Sequence, residues 1–204
     1  RRPGRPTHSE PHPTRRLRPA VGGRRSAVHD PCGGSVPRVL IRPAVLDDAP
    51  ALLEIYNPVV LSSTATFDLI PRTLAEQRAW LSSRAGARIV LVAVDDSDGP
   101  DGPVTGFSSL SQYRERPAYA TTVEDSVYIH PDHQGCGVGR LLLDALIETA
   151  RHHGFHTMVA RIVSDHAASI GLHRACGFEV VGCEREVGRK FGRWLDVVTM
   201  QLML

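Results

Sequence analysis

Glycine recurs at positions 135, 137 and 139, inside Ser126-Val127-Tyr128-Ile129-His130-Pro131-Asp132-His133-Gln134-Gly135-Cys136-Gly137-Val138-Gly139-Arg140. The segment reads as a strand, a tight loop and the first turn of an amphipathic helix. Glycines leave the loop's backbone N–H groups uncovered, so several can point into one concavity. A helix N-terminus adds roughly half a unit of positive charge there. A pyrophosphate suits such a cradle, because its oxygens accept several backbone hydrogen bonds at once. A dinucleotide fingerprint begun at Gly137 requires glycine at 142, where Leu142 stands. A Walker loop requires Gly-Lys-Ser/Thr, where Gly139-Arg140-Leu141 stands. What is left is Gln134-x-x-Gly137-x-Gly139, or an ordinary glycine-rich turn between strand and helix.

Other side chains with chemical potential flank the loop. Glu124 lies on the strand just before it, where burial or the neighbouring Asp125 would raise a carboxylate's pKa toward neutrality. A surface glutamate near a strand start is the plainer alternative. His173 has a reference pKa of about 6.5 and can donate a proton at neutral pH; a helix-face histidine bonded to a backbone carbonyl is the other reading. Cys136 has no His or Asp arranged to activate it, so no covalent intermediate is expected there. Arg114 and Arg116 lie in Tyr113-Arg114-Glu115-Arg116-Pro117-Ala118-Tyr119 between two strands, and guanidinium groups suit paired grips on carboxylate or phosphinate. A solvated loop charge is the alternative for each arginine.

These residues need a frame. Val39-Leu40-Ile41 is a short apolar strand ended by Arg42-Pro43. Asp47, Asp48 and Pro50 open a helix with a stripe at Ala49, Leu52, Leu53, Tyr56 and Val60, which Asn57-Pro58 is expected to end. A second helix covers about Leu74 to Arg84. Ile89 to Val94 and Val104 to Leu110 form a hairpin, and Ala120 to His130 forms a long strand. From Val138 a helix carries an apolar face of Val138, Leu141, Leu142, Ala145, Leu146 and Thr149, with Arg140, Asp144 and Glu148 on its wet face, until Gly154. A strand from Met158 to Val163, a helix from Ala167 to Ala175 stopped by Gly177, and strands over Phe178 to Val187 and Trp194 to Leu202 complete the chain. The order β-α-α-β-β-β-α-β-α-β-β predicts an α/β fold with a central twisted mixed sheet and helices on both faces.

Composition bounds the rest. Hydrophobic residues at 42% and charged residues at 23% are ordinary for a globular chain of 204 residues. The small net charge conceals a division: residues 1–38 carry nine Arg against Glu10 and Asp30, whereas residues 39–204 carry fifteen basic and twenty acidic residues. Residues 1–37, rich in Arg, Pro, Gly and His, have no periodic apolar pattern and are expected to be a disordered tail before a domain over 38–204. Such a tail could bind nucleic acid through its charge, but it lacks aromatics for stacking, so this is not expected. Cys32, Cys136, Cys176 and Cys183 form no C-x-x-C pair and are read as reduced thiols. No metal site, signal peptide or membrane span is expected, and a cytoplasmic location is.

The loop resembles the acyl-coenzyme A pyrophosphate loop of the GNAT superfamily of N-acetyltransferases. Ile41-Arg42-Pro43-Ala44, Ser63-Thr64-Ala65-Thr66-Phe67, Glu124 to Ile129, Leu172-His173-Arg174-Ala175-Cys176-Gly177-Phe178 and Lys190-Phe191-Gly192-Arg193-Trp194-x-Asp196 extend the match from about residue 39 to the end. They resemble the phosphinothricin N-acetyltransferase branch, whose members also acetylate methionine sulfoximine and methionine sulfone. The resemblance implies acetyl-CoA as co-substrate. The backbone of Val127, Tyr128 and Ile129 would hold the pantetheine arm like an added strand, and Gln134, Gly135, Cys136, Gly137, Val138, Gly139 and Arg140 would surround the pyrophosphate. His166 stands where relatives carry a cofactor-holding Asn, and imidazole can donate one hydrogen bond there. Glu124 takes the role of general base, and His173 falls where many relatives place a tyrosine near the thioester sulfur. A backbone N–H around Val127 is expected to stabilise the tetrahedral oxyanion. Arg114 and Arg116 match basic positions of the branch, Tyr119 shares their loop, and Phe67 matches an aromatic wall.

The expected activity is direct acetyl transfer to the primary amine of a small amino-acid-like molecule, by an enzyme working as a homodimer. Another amino acid or a protein N-terminus as acceptor, or an acyl-CoA sensor without catalysis, are the competing readings. A polyamine is disfavoured, because an arginine-lined acceptor site repels cations.

Overall fold

The computed structural model describes residues 38–84, 86–97, 99 and 101–204. The expected basic tail and any nucleic-acid role for it lie outside the described residues. One seven-stranded sheet runs in the order β1-β2-β3-β4-β5-β7-β6. The strands are β1 (Val39–Pro43), β2 (Val90–Asp95), β3 (Val104–Gln112), β4 (Thr122–Ile129), β5 (Thr157–Val163), β6 (Glu179–Lys190) and β7 (Arg193–Met203). The helices are α1 (Ala49–Ser62), α2 (Leu74–Ser82), α3 (Val138–His152) and α4 (Ala167–Ala175). All pairings are antiparallel except β4 with β5, which α3 connects.

Strand alternation assigns the two faces. Leu91, Ala93, Leu110, Val123, Met158, Ala160 and Ile162 pack under α3, while Val90, Val92, Val94 and Phe107 pack under α1 and α2. Helices therefore cover both faces, as the sequence pattern predicts. On β4, Val123, Val127 and Ile129 belong to the α3 side, so Glu124 and Tyr128 turn toward α1. Asp125 turns the other way, toward α4.

β4 is fully paired on one side only. It matches β3 from Gln112↔Val123 to Gly106↔Ile129. Toward β5 the pairing is limited to Thr122↔Thr157, Val123↔Met158 and Glu124↔Val159. Beyond Glu124 the two strands separate, and β5 continues against β7 instead. His130 N–H donates to the Thr105 carbonyl on β3. By alternation, the backbone groups of Asp125, Val127 and Ile129 point into the opening between β4 and β5.

Three expectations need correction. Pro58 does not end α1, which runs on to Ser62. Its missing donor is outweighed by burial of Val60, and Asn57 exchanges two hydrogen bonds with the Arg72 backbone (2.9 and 3.0 Å) that hold this stretch in place. Asp48 precedes α1 but makes no side-chain cap; its carboxylate instead takes both Arg42 terminal nitrogens at 2.8 Å. The buried face of α3 is Val138, Leu142, Leu143, Leu146, Ile147 and Ala150, while Leu141 is exposed. The expected stripe is rotated by a fraction of a turn.

The loop between α1 and α2 is fastened to the far edge of the sheet. Buried Lys190 on β6 donates from Nζ to the Thr66 carbonyl at 2.8 Å, and burial holds its pKa below the ordinary lysine value. Phe67 lies against Gly188 so closely that a Cβ at 188 would overlap its ring. That close approach explains the glycine in this strand.

Candidate active site

The glycine loop forms as its residue types require, for two separate reasons. Gly135 (φ +79°) and Gly137 (φ +84°) adopt left-handed backbone, and a Cβ at either would meet nothing, so conformation alone selects glycine there. Gly139 has ordinary φ, but a Cβ would meet Leu172 Cδ2 at 3.3 Å, so packing between α3 and α4 selects it. The Gly137 carbonyl caps the first turn of α3 by accepting from Arg140 and Leu141 N–H (3.0 and 3.2 Å). Among the described residues, the N–H groups of Gly135, Gly137, Val138 and Gly139 have no backbone acceptor.

Gly135, Gly137 and Gly139 border a cleft of about 670 Å³ that continues along the open edge of β4. Of the cofactor residues expected from the sequence, Val127, Tyr128, Ile129, Gln134, Gly135, Gly137, Gly139, Arg140 and His166 line it. Cys136 and Val138 do not; the Val138 side chain is buried in the core under α3. Gln134 Nε2 donates to the Ile129 carbonyl at 3.3 Å, closing one of the outward backbone groups. His166 caps α4, its Nδ1 accepting the Ser169 N–H at 3.2 Å. With Nδ1 as acceptor, a neutral imidazole carries its proton on Nε2 and keeps one donor. The chain thus offers an elongated phosphate-bearing ligand a row of free amides at one end and an unpaired strand edge along its length.

Arg114, Arg116 and Tyr119 line a second concavity, of about 550 Å³, together with Glu115. The Arg114 guanidinium lies 5.0 Å from the Tyr113 ring and 5.6 Å from that of Tyr119. Phe67 lines neither hollow; it sits against β6, where the α1–α2 loop meets the sheet edge.

The consecutive carboxylates Glu124 and Asp125 serve opposite faces. Glu124 is half-buried beside the opening, and burial raises its pKa against the opposing charge of Arg161, with Asp125 and Glu184 adding to the rise. Asp125 meets His173 of α4: Oδ2 lies 3.0 Å from Nε2, with side-chain exposures of 2% and 4%. His173 Nδ1 lies 2.8 Å from the Ser169 carbonyl. Both ring nitrogens therefore face acceptors, the arrangement of an imidazolium with two donors. Burial pulls its pKa down, but the Asp125 hydrogen bond and charge and the Ser169 carbonyl outweigh it, and the pKa is raised.

His173 accordingly has the carbonyl bond of the plainer reading, and a buried carboxylate as well. It lines the cleft with Asp125 but holds no uncommitted N–H. In the sequence Asp125 counts only as a neighbour of Glu124; the alternation that puts adjacent strand residues on opposite faces is the signal for a separate role. Arg161, a lone charge within Met158-Val159-Ala160-Arg161-Ile162-Val163, is a second such signal and also lines the cleft. Cys176 and Cys183 are free thiols, whereas Cys136 is disulfide-bonded, which corrects the expectation of four reduced cysteines. Among the described residues no group of three or more His, Cys, Asp or Glu is arranged to hold a metal ion, and no helix is long and apolar enough to cross a membrane.

Comparison with known proteins agrees with this geometry. Residues 52–178 match the Acetyltransferase (GNAT) family. The chain is 46% identical over 164 residues to the L-methionine sulfoximine/L-methionine sulfone acetyltransferase of Pseudomonas aeruginosa, covering 80% of this chain and 94% of that protein. It is 43% identical to the L-amino acid N-acyltransferase MnaT of Escherichia coli, over 80% of this chain and 93% of the relative. Among solved structures, a phosphinothricin acetyltransferase from Sinorhizobium meliloti in complex with acetyl-CoA superposes with a TM-score of 0.76. It shares 39% identity, covering 81% of this chain and 88% of that one. A cradle of free amides running into an open strand edge, on a sheet shared with these relatives, leads to one assignment: the chain belongs to the GNAT acetyltransferase family and is an N-acetyltransferase.

Proposed function

We propose that the chain transfers acetyl directly from acetyl-CoA to the primary amine of a small amino-acid-like acceptor of the methionine sulfone, methionine sulfoximine or phosphinothricin type. The observation that carries this is the open β4 edge, which runs from the glycine cradle back to the last β4–β5 pair, Glu124↔Val159; Glu124 does not line the cleft itself but borders the end of that seam. Acetyl-CoA, when bound, supplies an activated acyl group. The amides of Gly135 to Gly139 suit its pyrophosphate, and the outward backbone groups of Val127 and Ile129 suit its amide-bearing arm. Arg140, paired with Asp144 at 3.2 Å, and the free donor of His166 stand at the rim.

On the acceptor side, Glu124 takes the proton that an ammonium must lose before its lone pair can attack. A pKa raised by burial brings the carboxylate nearer to that task. On the opposite face the Asp125–His173 pair, pinned by Ser169, fixes the charge and orientation of the wall on the cofactor side. Arg114 and Arg116 are suited to the second polar group of the acceptor. The L-amino acid, sulfone and phosphinothricin acceptors named for the relatives have in common an α-amine beside a carboxylate, and this points to the same class here. We also take the enzyme as cytoplasmic and as a homodimer; Val180, Val181, Val187, Phe191 and Trp194 of the β6–β7 hairpin are exposed apolar surface of the kind a second subunit covers.

Thiol release from acetyl-CoA, measured against methionine sulfone, methionine sulfoximine, phosphinothricin and spermidine, tests the assignment. Turnover of one or more of the first three is expected; turnover of spermidine alone would refute it. Gly137→Ala places a Cβ on left-handed backbone, at a cost of about 1–2 kcal/mol. It is expected to lower the melting temperature and to raise the KM for acetyl-CoA while leaving the KM for the acceptor in place.

A further inference from the structure

Every side chain of β5 is buried except one: Arg161 is exposed among Thr157, Met158, Val159, Ala160, Ile162 and Val163. Met158, Ala160 and Ile162 face α3, so Arg161 projects from the face that carries Glu124. It stands two residues past the Glu124↔Val159 pairing, where β4 and β5 have already separated, and it lines the cleft. Its one described side-chain hydrogen bond runs from Nη2 to Glu184 Oε2 on β6, with exposures of 37% and 42%. A guanidinium offers five N–H donors, so most of its capacity is unspent. An ion pair this exposed adds little to folding, which leaves the placement of a cation in an apolar strand without a stability rationale.

The surrounding charges point to a ligand with two poles. Arg161 acts electrostatically on Glu124, and Glu184 acts on both Glu124 and Arg114. One wall therefore presents an acceptor for an ammonium, a guanidinium beside it, and the arginine loop beyond. An α-amino acid carries its ammonium and carboxylate on a single carbon, so seating the amine at Glu124 brings the carboxylate to its immediate neighbour. Resting on the amino-acid acceptor of the previous section, we propose that Arg161 is the residue that recognises the acceptor's α-carboxylate, with Glu184 holding the guanidinium on the acceptor face. No bond is made or broken at Arg161; its contribution is to specificity.

Steady-state kinetics separate this from a merely structural role. The acceptors are methionine sulfone and its decarboxylated analogue, 3-(methylsulfonyl)propylamine, with the wild type, Arg161→Ala, Arg161→Lys and Glu184→Gln. Arg161→Ala is expected to raise the KM for methionine sulfone by about 10- to 100-fold, the value of a charged hydrogen-bonding pair, with kcat within a few-fold. The decarboxylated amine should be unaffected in KM. Arg161→Lys should restore part of the loss, because it keeps the charge without the fork. Glu184→Gln, which weakens the hold on the guanidinium, should raise the KM for methionine sulfone, by less than Arg161→Ala does. Arg161, Glu184 and, from the opposite face of β4, Asp125 act electrostatically on Glu124, and only Arg161 favours its ionised form. The acid limb of kcat/KM for the amine analogue should therefore move to higher pH in Arg161→Ala. Equal changes for both acceptors, or none for either, would overturn the proposal while leaving the acetyltransferase assignment intact. A wild-type enzyme inactive on methionine sulfone, methionine sulfoximine and phosphinothricin alike would remove the amino-acid reading itself, and the carboxylate anchor with it.

Discussion

Glu124→Gln is expected to bind acetyl-CoA like the wild type and to turn over about 100- to 10,000-fold more slowly, the usual contribution of a positioned general base. The amide is nearly isosteric, and the residue lines neither the glycine cradle nor the outward edge of β4, so binding and folding should survive. What is lost is the proton acceptor. Burial raises the pKa of Glu124, and Asp125 and Glu184 reinforce the rise while Arg161 opposes it. The base works ionised, so the wild-type rate should climb with pH through a limb lying above the ordinary carboxylate range. That limb should be missing from the variant. A Glu124→Gln enzyme within a few-fold of wild type, with the limb intact, would place the base elsewhere.

Asp125→Ala should give the largest loss of stability. The Asp125–His173 pair is almost wholly buried, and removing one partner of such a pair costs about 3–5 kcal/mol because the other charge stays uncompensated. The pH dependence has a definite sign. Asp125 and Ser169 outweigh burial and raise the His173 pKa in the folded protein, so the pair's contribution is fully present below the ordinary imidazole value of about 6.5. It is lost as pH rises through the raised folded value. Urea denaturation of wild type and variant should therefore show a wide gap near pH 6 that narrows toward alkaline pH. A gap independent of pH would mean that the imidazole is not the charged partner.

The legible parts of the chain are those where local chemistry leaves few choices. Gly135 and Gly137 need left-handed backbone, and the strand before them and the helix after them announce themselves by period, so the cradle and its neighbouring elements can be read directly. Pro58 misleads because its local cost is real but is exceeded by burial of Val60 and by the Asn57–Arg72 bonds, which join residues fifteen positions apart. The rotated face of α3 is an error of the same kind: Leu141 and Leu143 look alike in sequence, and only the direction of the sheet distinguishes them. At the site, Glu124 stands out beside the loop and His173 is also singled out, but which groups surround them is not legible. His173, Arg161 and Glu184 approach β4 from three other elements, and their distances in sequence carry no trace of that. Asp125 is the instructive case, since its role follows from a rule of alternation that is available before any coordinates.

Among the described residues, the three residue pairs that join β4 to β5 are the only strand pairing between β1 to β4 and the remaining three strands. In the proposed function the rest of that seam is left for the donor to fill. A small acyl phosphate has no peptide-like tail to lay against Val127 and Ile129, so it can carry the right reactive group and still be refused. With the donor held as proposed, its choice depends less on the atom that reacts than on the long handle behind it, which would act as a temporary eighth strand.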